Sequence, residues 1–398
     1  MVYKAGVAMI EEKDLSKMSD SELHEYLEYC KAKKIYHNTL QQVLKISINS
    51  LYGVIGNNYF NMYELASASG ITSLGRMMIK SASELISSYI SNLINSEEKD
   101  WVVAGDTDST YVNFYPIIAK YNMNNKPLQE KVDFLDEECK KVEANVLTPF
   151  FEKLYEELNC NENVMHMDRE VIAVNDKPDA YCGFWVGKKH YVLEKCDDEG
   201  FRYEKPAMKI MGMSFIQTTI PEFVKKSLKQ CSKLLIEEGI QSVRKYVKTV
   251  KEEYYKLSET QIASPRTVSD IAKFTDFSTG LPHSGIWYDP ELKKERNGGI
   301  PLHAGAAVNF NYLVKKMHLE KKYPLITDGA KIYYLYLKPN KYQFNAIAFT
   351  DKFPEEFKEF LQIDYDKMYE KQFEKPLKDI LERCDLTLEE VRKLDEFF

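Results

Sequence analysis

The spacing of apolar residues changes from helical to strand-like near Trp101, and this order of elements constrains the fold most. Before this point apolar side chains recur at intervals of three and four. That spacing predicts a helix from about Ser19 to Lys34 and a second from about His37 to Gly53 or Gly56, together a helical hairpin. A further amphipathic helix is predicted over 76–95.

Short strands are predicted next. Two apolar runs, 101–103 and 111–114, flank Gly105-Asp106-Thr107-Asp108, which predicts a hairpin with two carboxylates near its turn. A helix bent at Pro149 is predicted over 128–158. The remaining predictions are strands at 170–174, 184–194, 202–211 and 331–338, a helix over 221–255 and a loop-rich segment over 264–309. The chain is therefore predicted to be an α+β protein with several domains.

Length and composition exclude several classes of protein. The 398 residues suffice for two or three domains, and 44% hydrophobic with 29% charged residues is typical of soluble globular proteins. The sequence shows neither a signal peptide nor an apolar run of membrane-spanning length, so a cytosolic protein is expected. Its seven cysteines are scattered and include no Cys-x-x-Cys pair, which argues against a disulfide framework or a cysteine zinc site.

The charges are segregated along the chain. The net charge is −7, yet residues 201–350 carry 24 basic and 14 acidic side chains. Residues 1–200 and 351–398 are acidic on balance. The basic block predicts either a surface that binds a polyanion or a well-solvated lysine surface, and charge alone does not separate the two.

Lys45, Asn49 and Tyr52 lie within an arc of about 60° on one helix face. A cation, an amide and a phenol in this arrangement could hold a triphosphate, and Gly53 would let another chain approach closely. Spacing alone favours the ordinary alternative, an exposed lysine beside a half-buried tyrosine.

Asp106 and Asp108 form the second candidate site. Two carboxylates so close in sequence repel each other unless a divalent cation, most simply Mg²⁺, neutralises them. Asp-x-Asp is nevertheless common in turns. Glu170 is a candidate third acid, for which an exposed strand edge is the alternative interpretation.

The third candidate is a basic and aromatic segment, Lys188-Lys189-His190-Tyr191, with a second basic element at Lys209-Ile210-Met211-Gly212. Such side chains suit a nucleic-acid backbone and its minor groove. A solvated strand edge is the alternative.

In this order, these motifs resemble those of the B-family DNA polymerases. Lys45-x-x-x-Asn49-Ser50-Leu51-Tyr52-Gly53 is similar to the second fingers motif, Gly105-Asp106-Thr107-Asp108-Ser109 to the palm motif, and Lys188-Lys189-His190-Tyr191 to the following Lys-Lys-Arg-Tyr motif. Further segments, such as 167–170 and 209–212, resemble replicative polymerases of large tailed bacteriophages. The resemblance covers almost the whole chain.

The resemblance implies a right-hand architecture with a helical fingers hairpin, an antiparallel-sheet palm and a mostly helical thumb. It assigns residues 1–57 to the second half of the fingers, 58–205 to most of the palm and 206–398 to the thumb. The implied substrates are dNTPs and primer-template DNA. The implied cofactor is a pair of Mg²⁺ ions, and the implied location is the cytoplasm of an infected bacterium.

The resemblance also implies roles for the candidate residues. The incoming nucleotide is contacted by Lys45, Asn49 and Tyr52, and the metal ions by Asp108, with Asp106 and Glu170 as less direct candidates. The primer end is held by Lys188, Lys189, His190, Tyr191 and Lys209. The sequence departs from the family pattern at Ala104, where Tyr is usual, and at His190, where Arg is usual. A weaker or pH-sensitive primer contact is therefore expected at His190.

The family's other metal-bridging aspartate lies in an Asp-x-x-Ser-Leu-Tyr-Pro motif, which these 398 residues lack. The expectation is therefore a split polymerase, active with an N-terminal polymerase/exonuclease subunit that supplies the missing aspartate. The alternatives are a non-catalytic remnant that binds DNA and a sliding clamp, and an incomplete gene. Leu394, Phe397 and Phe398 resemble the tail by which replicative polymerases dock on a sliding clamp.

Overall fold

The computed structural model describes residues 15–98, 100–177, 181–289, 292–297 and 299–389. These residues form two compact units. The first contains the described residues up to Ala82 together with Thr107–Ser109, and the second contains Ser83–Asp106 and the described residues from Thr110 onward. The predicted domain boundaries after residues 57 and 205 follow from the resemblance and stay predictions.

Helix α1, Asp20–Gly56, is one continuous helix of 37 residues. It begins with a capping box, in which the backbone N–H of Ser19 donates to the Glu22 carboxylate at 2.8 Å. The predicted hairpin, with a break between Lys34 and His37, is wrong. The segment between these residues, Ile35-Tyr36, contains neither glycine nor proline, so nothing interrupts the backbone hydrogen bonds.

Helix α2, Leu65–Ile94, begins earlier than the predicted start at residue 76. The Glu64 carboxylate accepts a hydrogen bond from the Ala66 N–H at 3.0 Å and so satisfies one free donor of the first turn. Ile86 and Ile90, on the apolar face that the sequence predicted, are almost fully buried.

The rest of the described chain is mixed helix and strand. The next strands and helices, in chain order, are β1 Val102–Asp106, β2 Ser109–Val112, α3 Tyr115–Lys120, α4 Leu128–Val142, α5 Thr148–Glu157, β3 Val171–Ala173, β4 Gly183–Gly187, β5 His190–Asp198 and β6 Phe201–Met211. They are followed by α6 Glu222–Glu237, α7 Ile240–Tyr254, α8 Glu259–Ile262, β7 Ser264–Thr267, α9 Ile271–Phe274, β8 Thr275–Asp276, β9 Leu281–Pro282, β10 Ile286–Asp289 and β11 Lys294–Asn297. The last are α10 Leu302–Lys316, β12 Lys331–Tyr336, β13 Ala346–Phe349, α11 Glu355–Lys358, α12 Tyr365–Tyr369 and α13 Lys375–Arg383. This content confirms the α+β class.

The central strand of the four-stranded antiparallel sheet is β5. Strands β3 and β4 pair with different parts of β5, and β6 also pairs with it. The predicted single strand over 184–194 is therefore wrong: it is a hairpin, β4–β5, that turns at Lys188-Lys189. Gly187 marked this turn in the sequence, but the flanking apolar residues suggested continuity. The predicted hairpin at 101–114 is confirmed as β1–β2.

Two predicted helices are interrupted. The helix predicted over 128–158 is interrupted by a π-helical segment, Glu143–Leu147, and the predicted bend at Pro149 stays a prediction. The helix predicted over 221–255 divides into α6 and α7 at Gly239, which has φ +83°. A left-handed glycine ends α6, because such a residue cannot continue the helix.

Buried apolar clusters hold the second unit together, and two of them lie wholly within the described residues. The larger lies among α6, α7, α10, α13 and the β7–β12–β13 sheet, and includes Leu313 and Phe357, both fully buried. The smaller, with Val132, Ile172 and Cys196, joins α4 to β3 and β5. The segment 264–309, predicted to be loop-rich, in fact contains strands β7–β11 and the start of α10. No helix in the described part of the chain combines the length and apolar composition of a membrane span.

Candidate active site

The β1–β2 hairpin carries the two predicted acidic residues. Asp106 ends β1 and is half-buried, whereas Asp108 lies in the turn and is exposed. Thr107, between them, has φ +52°, a left-handed conformation that lets the chain reverse tightly. The sequence therefore predicted the positions of both carboxylates correctly.

Asp106 has an ion-pair partner that the sequence did not predict. The Lys189 ammonium nitrogen lies 3.2 Å from Asp106 Oδ1, although the two residues are far apart in sequence. Lys189 and the exposed Lys188 form the β4–β5 turn, and the exposed His190 follows as the first residue of β5; these three residues are called the Lys188-Lys189-His190 turn below. The structure thus brings a predicted acidic residue and the predicted basic segment together. Lys209 is half-buried on β6, opposite Leu193 of β5.

Tyr191 lies in an aromatic cluster rather than on the surface. It is 6% exposed, and its hydroxyl shares a 2.7 Å hydrogen bond with the Tyr111 hydroxyl. The Trp185 ring lies 5.6 Å from that of Tyr111 and 5.8 Å from that of Tyr191, centroid to centroid. Sequence reasoning missed Tyr111 and Trp185 as neighbours, although both lie on predicted strands. The cluster ties β2 to the β4–β5 hairpin.

Burial raises the pKa of Tyr191, and the hydrogen bond that its hydroxyl shares with the Tyr111 hydroxyl adds to this effect. The nearby carboxylates of Glu170 and Asp106 also raise this pKa, because they disfavour a phenolate. Tyr191 is therefore neutral at physiological pH.

Glu170 itself is exposed, and its backbone is well anchored. Its carbonyl accepts a hydrogen bond from the Glu199 N–H at 2.6 Å. The preceding residue, Arg169, lies in an ion-pair network with Asp136 and the buried Asp197. Sequence reasoning did not find this network, which holds the side chain of the residue before Glu170.

The donor chemistry fits a magnesium ion only in part. Carboxylate oxygens are suitable ligands, and Asp106 and Asp108 lie on the same hairpin. Within the described ranges, however, no three His, Cys, Asp or Glu side chains are grouped as a metal site. Asp106 is also paired with Lys189. These residues would need at least one further carboxylate, so the assignment of Mg²⁺ to Asp106, Asp108 and Glu170 stays a prediction.

The predicted row of Lys45, Asn49 and Tyr52 lies on α1, in the first unit. All three side chains are exposed, and Tyr52 is 42% exposed. Because α1 is uninterrupted, helical geometry keeps the three on one face. An exposed row of this kind is open to a ligand.

Sequence comparison agrees with these motifs. The sequence model of DNA polymerase family B matches residues 21–132. Over 394 residues, or 97% of this chain, the sequence is 31% identical to the DNA-directed DNA polymerase of Enterobacteria phage T4. The chain is a homologue of the family B DNA polymerases.

Two further relatives support this family relationship. The DNA-directed DNA polymerase of Escherichia phage RB69 is 31% identical over 395 residues, 96% of this chain and 41% of that protein. The DNA polymerase delta catalytic subunit of Plasmodium falciparum is 25% identical over 299 residues, 74% of this chain and 24% of that protein. The resemblance to family B polymerases, and to those of phages, is thus confirmed.

The chain spans about two fifths of the length of the phage polymerases, 41% in the case of phage T4. The family B match covers Lys45, Asn49, Tyr52, Asp106 and Asp108, and it ends before the β4–β5 turn. The predicted clamp-binding residues, Leu394, Phe397 and Phe398, lie outside the residues that the structure describes.

Proposed function

We propose that this chain takes part in template-directed DNA synthesis, the transfer of a nucleotidyl group from a dNTP to a primer 3′-hydroxyl. The main support for this proposal is the ion pair between the Asp106 carboxylate and Lys189 of the Lys188-Lys189-His190 turn. It occurs in a chain that is similar to DNA polymerases. Phosphoryl transfer needs acidic residues beside cations that hold phosphates. The proposed location is the cytoplasm of an infected bacterium.

The α1 row is proposed to bind the incoming nucleotide. Lys45 would pair with the triphosphate, Asn49 would donate a hydrogen bond to a phosphate or the sugar, and Tyr52 would pack beside the nascent base pair. All three side chains are exposed and lie on one helix face, as such a role requires.

The basic turn is proposed to hold the primer. Lys188 and Lys189 are exposed cations, suited to backbone phosphates, and His190 is an exposed neighbour. Tyr191, being buried, would support the turn through its contact with Tyr111 rather than touch DNA itself. Lys209, on the adjacent strand β6, would extend the basic surface.

Bound Mg²⁺ would stabilise the charge that develops on the reacting phosphate and lower the pKa of the attacking hydroxyl. Asp108 would hold the metal at the exposed turn, and Asp106 and Glu170 would add negative charge nearby. The further carboxylate would come from outside these 398 residues, with the fingers, palm and thumb arranged as a right hand. We propose a second polypeptide, carrying the exonuclease domain, as its source.

A non-catalytic DNA- and clamp-binding protein is the second candidate function. The exposed Lys188-Lys189-His190 turn could bind DNA in such a protein equally well. Asp108 would then have no metal-binding function. Clamp binding through Leu394, Phe397 and Phe398 belongs to both candidates and stays a prediction.

Asp108→Asn separates the two functions. The amide has the shape of the carboxylate but cannot neutralise a metal ion, so nucleotide incorporation by the assembled polymerase should fall by about a thousandfold or more. Primer-template affinity should stay within about twofold, because Asp108 makes no cationic contact to phosphate. Incorporation is measured by primer extension and affinity by fluorescence anisotropy.

Asp379→Asn is the matched control. Asp379 is an exposed aspartate on α13, far along the sequence from the β1–β2 hairpin. It should change neither quantity. If Asp108→Asn retains wild-type incorporation, the metal-binding role of Asp108 is wrong.

A further inference from the structure

We propose that Gly212 is a positioning residue: its missing side chain is what allows the Lys188-Lys189-His190 turn to hold Lys189 against Asp106. This inference deepens the proposed function and rests on it, since it concerns the turn proposed to bind the primer. Gly212 follows β6 directly, one residue beyond the pair that Tyr191 of β5 forms with Met211.

The backbone of the turn occupies the space that a Gly212 side chain would need. A Cβ atom at Gly212 would lie 2.1 Å from the Lys189 carbonyl oxygen and 3.0 Å from His190 Cδ2. Contacts under 3.0 Å do not occur with real Cβ atoms, so one of the two segments would have to move. Because the closest atom belongs to the backbone, a rotamer change cannot relieve the contact.

Gly212 also has φ +64°, a backbone conformation that is unfavourable for any residue with a side chain. Two independent properties, backbone conformation and close approach, therefore require glycine at this position. Among the other described glycines with a positive φ, none would place a Cβ atom within 3.0 Å of a neighbouring atom.

The turn against Gly212 is itself strained and internally bonded. Lys189 has φ +63°, unusual for a residue with a long side chain. The His190 ring donates from Nδ1 to the Lys188 carbonyl oxygen at 2.6 Å. This conformation directs the Lys189 ammonium to within 3.2 Å of Asp106 Oδ1. Strain of this kind persists only where the surroundings enforce it, and Gly212 is the neighbour that leaves room for it.

A side chain at residue 212 should therefore push the turn outward and separate Lys189 from Asp106. Lys188, Lys189 and His190 would move together, because the hydrogen bond from His190 to Lys188 makes the turn one unit. The predicted result is a primer contact that is present but displaced. In active sites, displacements of about 1 Å can cost two orders of magnitude in rate.

The test compares three alanine substitutions in the 398-residue chain. Gly212→Ala introduces both the close contact and the unfavourable φ. Gly239→Ala introduces only the unfavourable φ, since Gly239 has φ +83° and no neighbour within 4 Å of an added Cβ. Gly187→Ala introduces neither, although Gly187 adjoins the same turn.

The first measurement is the acylation rate of individual lysines by an N-hydroxysuccinimide ester, read by mass spectrometry. An ammonium paired with a carboxylate reacts slowly, so Gly212→Ala should raise the rate at Lys189 about threefold or more. Gly187→Ala and Gly239→Ala should leave it unchanged. This readout needs no DNA and stays informative even if the proposed function is wrong.

The second measurement is the affinity for a primer-template duplex by fluorescence anisotropy. Gly212→Ala should weaken binding about fivefold, while both controls bind as the wild type does. Wild-type protein that does not bind the duplex contradicts the proposed function. Wild-type binding with unchanged Lys189 reactivity and unchanged affinity in Gly212→Ala overturns the positioning role.

Gly212→Asn is the reserve variant if Gly212→Ala does not fold, because asparagine tolerates a positive φ but still carries the Cβ. Gly212→Asn should likewise raise the acylation rate of Lys189 and weaken binding of the primer-template duplex. If neither variant folds while Gly239→Ala does, Gly212 acts in folding and the positioning role is overturned.

Discussion

Asp197 is fully buried at the end of β5, and the residues around it show how the candidate site is supported. Arg169 pairs with both Asp197 and Asp136, and Arg202 Nε lies 3.3 Å from Asp197 Oδ2. A buried charge is tolerated only when such partners compensate it. Removing one partner should therefore destabilise the strand next to Glu170.

Asp136 is the other acid of this network, and asparagine can remove its charge without changing its shape. Partial burial would raise its pKa, but hydrogen bonds from Lys140 and Arg169 outweigh burial and lower it. The folded protein thus releases this proton more readily than the unfolded chain does. The resulting stabilisation is complete above the ordinary aspartate pKa of about 3.9, and it is lost as the pH falls through the lower folded pKa.

Asp136→Asn should lower the free energy of unfolding by roughly 1 to 3 kcal/mol at pH 7. The difference from the wild type should shrink as the pH falls below about 4, because the wild-type carboxylate then becomes neutral too. Urea unfolding, followed by circular dichroism over this pH range, measures both effects.

Asp133→Asn is the matched control. Asp133 lies on the same helix, α4, and contacts Arg202 at 3.2 Å, but its side chain is 57% exposed. Its loss should cost less than about 0.5 kcal/mol. Equal losses in the two variants would mean that the network contributes no more than a surface ion pair does.

At the scale of elements, α1 differs from the other long helices. None of its residues is buried, and large apolar side chains such as Leu44 and Ile48 are more than half exposed. In contrast, α10 buries much of its length, including Leu313 at 0% exposure. An exposed apolar stripe of this size is typical of a surface that another segment covers.

Leu44→Ala and Leu313→Ala compare the two helices with one substitution. Leu313→Ala should lower the free energy of unfolding by about 2 to 5 kcal/mol, through lost burial and the cavity that remains. Leu44→Ala should change it by less than about 0.5 kcal/mol in this chain, since its side chain is already in water. Urea unfolding measures the change in the free energy of unfolding for each variant. A large loss in Leu44→Ala would show that α1 is packed in solution.

The elements also show where sequence reasoning succeeds. Asp106 and Asp108 were predicted at a hairpin turn because apolar runs and turn residues are local signals. The break at Gly239 was missed because apolar periodicity continues on both sides of it. The contacts of Lys189 with Asp106 and of Arg169 with Asp197 join distant parts of the chain, so no local pattern could predict them.

At the scale of the whole molecule, the net charge of −7 would by itself oppose DNA binding. Positive charge is nevertheless concentrated locally in the sequence, in the surplus of basic side chains over residues 201–350 and in the exposed Lys188-Lys189-His190 turn. Local charge controls association with a polyanion more than net charge does, since interactions beyond about 10 Å are screened at ordinary salt. Binding of DNA to this chain should therefore be weak and strongly dependent on salt.

The last prediction combines this charge distribution with the incomplete set of metal ligands. The chain alone should bind primer-template DNA with an affinity that falls roughly 40-fold between 50 and 200 mM salt, as three phosphate contacts would produce. It should add no nucleotides, because Asp108, Asp106 and Glu170 lack the further carboxylate. An equimolar amount of a polypeptide with the Asp-x-x-Ser-Leu-Tyr-Pro motif should restore primer extension, whereas the same mixture with Asp108→Asn stays inactive and so excludes a contaminating polymerase. Primer extension by the chain alone, abolished by Asp108→Asn, would instead show that these 398 residues contain a complete metal site.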